Sequence, residues 1–272
     1  MKIAKISGAG NDFVVIGPDE AAILGDGLVG WTRRVCRRGL SVGADGVLVV
    51  EPSRKGHVRV RFLNPDGAEA FCGNGSRCAA RYAGLRGWTD GPSVVLDTAA
   101  GEVEARVEPS SIRLELRAPR DLGPMVLDLD GIHLEGRQVD AGVPHFVTVV
   151  ADVAKAPLEL WGPAVRRHPR FGEAGTNLDV VTLGTSEISL RTWERGVEGE
   201  TLACGSGAVA AALVARQHGA AETVRVVPAS GIALTVGLPG PADSPRAAIL
   251  EGDARIVFEG ELRAEGVEGF PA

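Results

Sequence analysis

Cys72-Gly-Asn-Gly-Ser-Arg-Cys-Ala-Ala returns 132 residues later as Cys204-Gly-Ser-Gly-Ala-Val-Ala-Ala-Ala. At the same offset Gly10-Asn-Asp-Phe-Val-Val answers Gly142-Val-Pro-His-Phe-Val, and Gly43-Ala-Asp-Gly-Val-Leu-Val-Val answers Gly175-Thr-Asn-Leu-Asp-Val-Val-Thr. Val60-Arg-Phe-Leu-Asn64 matches Leu190-Arg-Thr-Trp-Glu194, and Ala99-Ala-Gly101 matches Ala229-Ser-Gly231, both 130 residues apart. One Gly-rich match would mean little, but several in the same order at nearly one spacing mark two homologous halves. Pro and Gly cluster in Ala118-Pro-Arg-Asp-Leu-Gly-Pro124, which places the boundary there.

Each half is rich in short apolar runs bounded by Gly, Pro or Asp. Strands are expected at Phe13–Ile16, Val47–Val50, Val58–Leu63, Val94–Leu96, Val103–Val107 and Ile112–Leu116. The second half offers Phe146–Val150, Val180–Thr182, Ile188–Trp193, Val224–Val227 and Ile232–Val236. Helices are expected at Gly27–Gly39, Arg77–Gly84, Leu158–His168 and Ala208–Gln217, with Gly219 as a C-cap. The fold class is therefore α+β: two pseudo-symmetric lobes from a duplication, each a curved, mainly antiparallel sheet or barrel around a central helix. Residues 1–118 form the first lobe and 119–253 the second, with the active site in the cleft between them.

Composition narrows the function. The 272 residues carry 29 Lys+Arg against 35 Asp+Glu, a net charge of −6, which disfavours nucleic-acid and membrane partners. The longest apolar run, Ala208 to Ala215, is far shorter than a membrane span, and no leader is evident, so a cytoplasmic protein is expected. Four cysteines without a Cys-x-x-Cys pair exclude a disulfide scaffold and a zinc ribbon, so no metal is expected. There is no phosphate-binding loop and no dinucleotide fingerprint, and no lysine sits in an obvious pocket motif, so no cofactor is expected. Only four asparagines occur, at 11, 64, 74 and 177, each in a Gly-containing motif.

Each Cys-Gly-x-Gly directly precedes a helix, whose N-terminal N–H groups and partial positive charge suit an anion and lower a thiol pKa. Two such thiols on one ligand have the chemistry of deprotonation on one face of a stereocentre and reprotonation on the other. Cys36 and Cys78 read instead as small buried apolar residues. A redox pair of Cys72 with Cys204, or an anion-binding protein without catalysis, are the other readings of the same residues.

These motifs resemble the diaminopimelate epimerase family over essentially the whole chain. Gly8-Ala-Gly-Asn-Asp-Phe-Val-Val is similar to its N-terminal signature, and Asn64-Pro-Asp-Gly-Ala-Glu-Ala-Phe-Cys72 through Cys78 to its first cysteine block. Trp193-Glu-Arg-Gly196 with Ala203-Cys-Gly-Ser-Gly207 resembles the second block, and Phe258-Glu-Gly260 the ending. The resemblance implies an isomerase that interconverts LL- and meso-2,6-diaminopimelate without a cofactor, in lysine and peptidoglycan precursor biosynthesis. It also implies a homodimer, and a C-terminal strand within 254–272 that crosses back to the first lobe. By that resemblance Cys72 and Cys204 are the acid–base pair, and His145 and Glu194 help set their protonation. A buried structural histidine is the other reading of His145. Gly73, Asn74, Gly205 and Ser206 would hold the α-carboxylate. Asn11, Asn64, Asn177, Glu194 and Arg195 would recognise the amino groups and the distal carboxylate. Two positions differ from many members of the family: Val143 stands where many have Asn, and Gly46 where many have Gln, although glycine is a common variant there.

Overall fold

A computed structural model describes residues 1–184 and 187–270. The chain divides into two compact units, residues 1–114 with 252–272 and residues 115–251.

In the first unit β1 (Lys2–Gly8) pairs antiparallel with β2 (Asn11–Ile16), and β2 runs parallel to β3 (Gly46–Arg54). Next come β4 (His57–Leu63), antiparallel to β3, and β5 (Glu69–Ala70), a short strand on β4. β6 (Ser93–Thr98) is parallel to β4, and β7 (Gly101–Val107) is antiparallel to β6. β8 (Ile112–Leu116) leads out of the unit. Parallel neighbours need a crossover, and helices supply both. α1 (Pro18–Leu24) and α2 (Leu28–Val35) join β2 to β3; α3 (Gly73–Leu85) lies between β4 and β6.

The second unit repeats this order. β9 (Arg120–Leu129) and β10 (Ile132–Asp140) form a hairpin, and β10 pairs antiparallel with β11 (Pro144–Val149). β11 is parallel to β12 (Asn177–Leu183), which is antiparallel to β13 (Glu187–Glu194). β14 (Gly199–Thr201) and β15 (Thr223–Val227) both pair with β13, the first antiparallel and the second parallel. β16 (Leu234–Gly237) and β17 (Ala248–Gly252) follow antiparallel. The crossovers are α4 (Leu158–Arg166) and α5 (Gly205–Gln217). Finally β18 (Arg255–Glu261) pairs antiparallel with β1, as β9 does with β10.

The two crossover helices of each unit have different environments. α2 lays Leu28, Trp31 and Val35 on Val14, Ile16, Val47 and Val49, and α4 lays Leu158 and Val165 on Phe146, Leu178, Val180 and Trp193. α3 and α5 are instead enclosed. Gly205 and every residue from Gly207 to Ala215 are buried, which explains why α5 is apolar on all sides and built mostly of Ala and Val. Gly219, at φ +94°, takes the left-handed conformation just beyond the helix end, as the sequence suggests.

Several boundaries differ from expectation. α3 and α5 begin at the glycines: Gly73-Asn74-Gly75 is the first turn of α3, because Cys72 and Cys204 themselves serve as N-caps. α2 stops at Val35, short of Gly39, and β16 starts at Leu234 rather than Ile232. The Pro/Gly segment at the expected boundary enters β9, where Pro124 sits opposite Arg137 and Gly123 has φ +102°. The β9–β10 turn is Asp130-Gly131, both at positive φ, the arrangement a two-residue hairpin requires.

Gly46 is buried at the start of β3. A Cβ there would lie 2.3 Å from the Phe62 ring and 2.6 Å from the Leu63 carbonyl oxygen. Phe62 thus occupies the space a side chain at 46 would need, and it packs edge-on against Phe13. Gly46→Ala is expected to destabilise the protein by about 1–3 kcal/mol through this overlap. Urea denaturation checks this, and an unchanged midpoint would refute the packing argument.

Candidate active site

Cys72 and Cys204 are held identically. Cys72 has φ −139° and ψ 116°, and its Sγ accepts from the Gly75 N–H at 3.3 Å; Cys204 has φ −119° and ψ 115°, and its Sγ accepts from the Gly207 N–H at 3.4 Å. Each thiol thus meets one of the N–H groups that a helix start leaves outside its own ladder. Gly73, Asn74, Gly205 and Ser206 supply the first two backbone N–H groups of the same turns. Gly75 and Gly207 both sit where room is short. A Cβ at Gly207 would come within 2.5 Å of Asp179 Oδ1, so the helix start rests directly on that carboxylate.

The surroundings of the two thiols differ. Cys72 is half-buried, and the Arg77 guanidinium lies close enough to interact with it by charge. Arg77 is itself fully buried inside α3. Cys204 is buried, and burial, then Glu194 and Asp179, push its pKa well above the ordinary value. The Ser206 hydroxyl at 3.4 Å and the Gly207 N–H pull the other way and are outweighed. The expectation that the helix start lowers a thiol pKa therefore fails at Cys204, because desolvation and two carboxylates exceed the helix contribution.

Around Cys72 the first unit builds a continuous polar relay. Arg77 Nη2 donates to Asn74 Oδ1 at 2.8 Å, Asn74 Nδ2 to Asn11 Oδ1, and Asn11 Nδ2 to Asp45 Oδ2 at 3.0 Å. Arg38 bridges Asp45 and Asp12, and Lys5 Nζ reaches Asp12 at 2.7 Å and the Gly43 carbonyl. Because a guanidinium starts the chain and a carboxylate receives its end, both Asn amides have a fixed orientation. Asn64 follows β4 in a tight turn, with its N–H on Ala68 O at 2.9 Å and its carbonyl receiving Gly67 N–H at 2.8 Å.

In the second unit His145, Asn177 and Asp179 share the β11–β12 interface, where His145 is registered with Asn177. His145 Nδ1 lies 2.6 Å from Asp179 Oδ2, and neither side chain is exposed at all. Asn177 Oδ1 accepts the Arg195 N–H at 2.7 Å, while its Nδ2 donates to Pro144 O at 3.2 Å. This expected ligand contact is thus also the tie that sets the Glu194–Arg195 corner. Glu194 Oε2 accepts from Thr201 Oγ1 at 2.9 Å, and Arg195 Nη1 reaches the Ala174 carbonyl. Val143 is half-buried in the turn before β11, its carbonyl receiving Ala141 N–H.

Cys204, Glu194 and Asp179 come together, as do His145, Asn177 and Asp179 in the same unit; Cys72, Asn74 and Asn11 come together in the other. Sequence reasoning missed Asp179, Arg77, Asp45 and Arg38. Two of these carried a signal. Asp179 interrupts an apolar strand where its counterpart is Val47, and Arg77 stands where α5 has Val209.

The relay makes Asp12 an acid-stability element. Burial alone would raise its pKa, but hydrogen bonds and charge from Arg38 and Lys5 dominate and hold it at about 2. Its contribution is fully present above the ordinary carboxylate pKa and is lost as pH falls from about 4 toward about 2. Asp12→Asn should flatten the stability–pH curve in that window. Denaturant titrations across it check this, and equal slopes for the two proteins would remove Asp12 from the account.

The family model described as diaminopimelate epimerase matches residues 3–115 and 137–238. The diaminopimelate epimerase of Aquifex aeolicus is 36% identical over 282 residues, 98% of this chain and all of that one. That of Moorella thermoacetica is 39% identical over 233 residues, 78% of this chain and 82% of the relative. Among solved structures, a probable proline racemase from Agrobacterium radiobacter K84 superposes with a TM-score of 0.70 at 17% identity, covering 97% of this chain and 93% of that one. A hydroxyproline epimerase from Agrobacterium vitis gives 0.69 at 17% identity, covering 99% and 95%. At such identity these structures establish a shared fold.

Proposed function

The chain belongs to the diaminopimelate epimerase family, and from that premise we propose that Cys72 and Cys204 are its acid–base pair. The protein is an isomerase independent of pyridoxal phosphate, interconverting LL- and meso-2,6-diaminopimelate. The observation that carries the two-thiol reading is the duplicated construction: each cysteine caps an enclosed helix with the same backbone angles and the same thiol-to-N–H contact.

In this mechanism the thiolate of one cysteine takes the α-hydrogen as a proton from one face of the carbon. The electron pair moves into the carboxylate, which becomes enediolate-like. The thiol of the other cysteine delivers its proton to the opposite face, inverting the centre, and the two sulfurs have exchanged protonation states. The N–H groups of Gly73, Asn74, Gly205 and Ser206 stabilise the charge that gathers on the carboxylate oxygens, where two helix starts are worth most. Asn11, Asn64, Asn177, Glu194 and Arg195 hold the amino groups and the distal carboxylate. Burial, then Glu194 and Asp179, oppose negative charge at Cys204, so it rests as the thiol, while Cys72 lies within charge range of the buried Arg77. His145 and Glu194 take the proton that a cysteine loses on becoming the thiolate and return it afterwards.

We place the reaction in the cytoplasm, within lysine and peptidoglycan precursor biosynthesis, in keeping with a sequence of only four cysteines and no Cys-x-x-Cys pair. No helix among the described residues is long and apolar enough to cross a membrane.

Incubation of the reduced protein with LL-diaminopimelate in D2O is expected to yield meso product carrying deuterium at the inverted carbon. Cys72→Ala and Cys204→Ala should each lower epimerisation by at least about a hundredfold, the low end of what a positioned acid or base contributes. Either variant turning over at the wild-type rate ends the two-thiol mechanism.

A homodimer belongs to the same proposal. β18 is exposed along nearly its whole length and carries Val257 at 59% and Phe258 at 45% exposure, apolar surface that a second copy would cover. Sedimentation should find twice the 28.3 kDa chain mass for the wild type and a single chain for Phe258→Asp. A monomeric wild type would overturn it.

A further inference from the structure

We infer that Asp179 is a positioning residue for His145, fixing the imidazole with its hydrogen on Nδ1 and its lone pair on Nε2. The inference rests on the role given to His145 above and adds a residue to it.

Three independent contacts set the tautomer. Asp179 Oδ2, 2.6 Å from Nδ1, can only accept, so Nδ1 carries the hydrogen. The Arg195 N–H can only donate, so the oxygen of the Asn177 amide is the atom 2.7 Å from it. That orientation turns Asn177 Nδ2 toward His145 Nε2 at 3.4 Å, and an amide N–H there requires a lone pair on Nε2. Asp179 is fixed in turn: its Oδ1 accepts from Thr192 Oγ1 at 2.7 Å and lies against the Gly207 turn that starts α5.

The fold does not require this arrangement. β11 pairs with β10 through Asp140 opposite Pro144, and β2 pairs with β1 through Gly8 opposite Asn11. Asp12 therefore occupies the place of His145 and Val47 that of Asp179, and the first unit builds the same strands around a buried valine. A buried histidine–carboxylate hydrogen bond where an apolar residue suffices elsewhere marks a chemical task. The task follows from the tautomer. Before the α-hydrogen is taken, the thiol served by His145 becomes the thiolate: its S–H bond breaks and an N–H bond forms at Nε2. The positive charge this places on the imidazole faces the Asp179 carboxylate, 2.6 Å from Nδ1. On reprotonation the Nε2 proton returns to sulfur.

Long-range proton–nitrogen NMR of protein labelled in its histidines tests this, with His145→Gln assigning the resonance. Wild-type His145 should be the Nδ1–H tautomer, and Asp179→Asn should lose that tautomer and lower kcat by about 10²–10⁴-fold while KM changes little. Finding wild-type His145 as the Nε2–H form overturns the proposal without any variant having to fold. So does Asp179→Asn that keeps both tautomer and kcat. Thr192→Val, a milder change, should lower kcat by a smaller factor, and no loss there counts against the proposal. If His145→Gln keeps full turnover, the role of His145 fails and that of Asp179 with it. If only the aspartate variants are silent, the histidine reading stands alone.

Discussion

A helix buried on all sides has nowhere to send its unsatisfied ends. α5 is enclosed from Gly207 to Ala215 and α3 over most of its length; their C-terminal ends emerge at Leu85 and His218, but their N-termini lie among buried residues. There the first N–H groups must be met by a capping atom or a ligand. In both units the capping atom is a cysteine sulfur, and the proposed mechanism gives the neighbouring N–H groups to the substrate carboxylate. The glycines at 75 and 207 follow from the same constraint, since the first turn must lie against Leu48 in one case and Asp179 in the other. The location of the site is thus a consequence of how the core is filled.

Duplication supplied two identical frames, and the side chains around them have diverged. The first unit surrounds its thiol with a buried guanidinium and a relay of amides ending in carboxylates. The second sets its thiol beside two carboxylates, one of which holds a histidine. The acid and base proposed here are made from the same residue and need opposite resting states, which a symmetric protein could not provide. The divergence is concentrated at a few paired positions: Arg77 against Val209, Asp12 against His145, and Val47 against Asp179. Each exchanges an ionisable group for an apolar one or for a group of different charge.

Much of this was legible in the sequence, for reasons that can be named. The repeated Cys-Gly-x-Gly and the near-constant offset disclosed the duplication, the enclosed helices and the two thiols, because backbone approach restricts those positions to Gly whatever surrounds them. The β9–β10 hairpin was not read, although Asp130-Gly131 is a strong hairpin turn, because Pro124 and Gly123 look like a linker unless an edge strand is expected. Aligning Phe13 with His145 at the common offset also misled by one residue. The strand register shows Asp12 as the true counterpart, and a one-residue slip reverses which side chains point inward. Asp179 was invisible for a deeper reason. A buried aspartate is defined by partners at 145 and 192, brought to it by neighbouring strands, and no local pattern announces them.

The return of β18 to β1 has a consequence in time. The second unit is one uninterrupted stretch, and all its strands have been synthesised once residue 252 is joined. The first unit begins the chain yet lacks an edge until residues 255–261 arrive. Nor can Asp253 receive the Ala9 N–H, or its carbonyl receive Arg77, before that point. On the ribosome, the half begun first is therefore completed after the second, and the relay beside Cys72 settles only once Asp253 has been made.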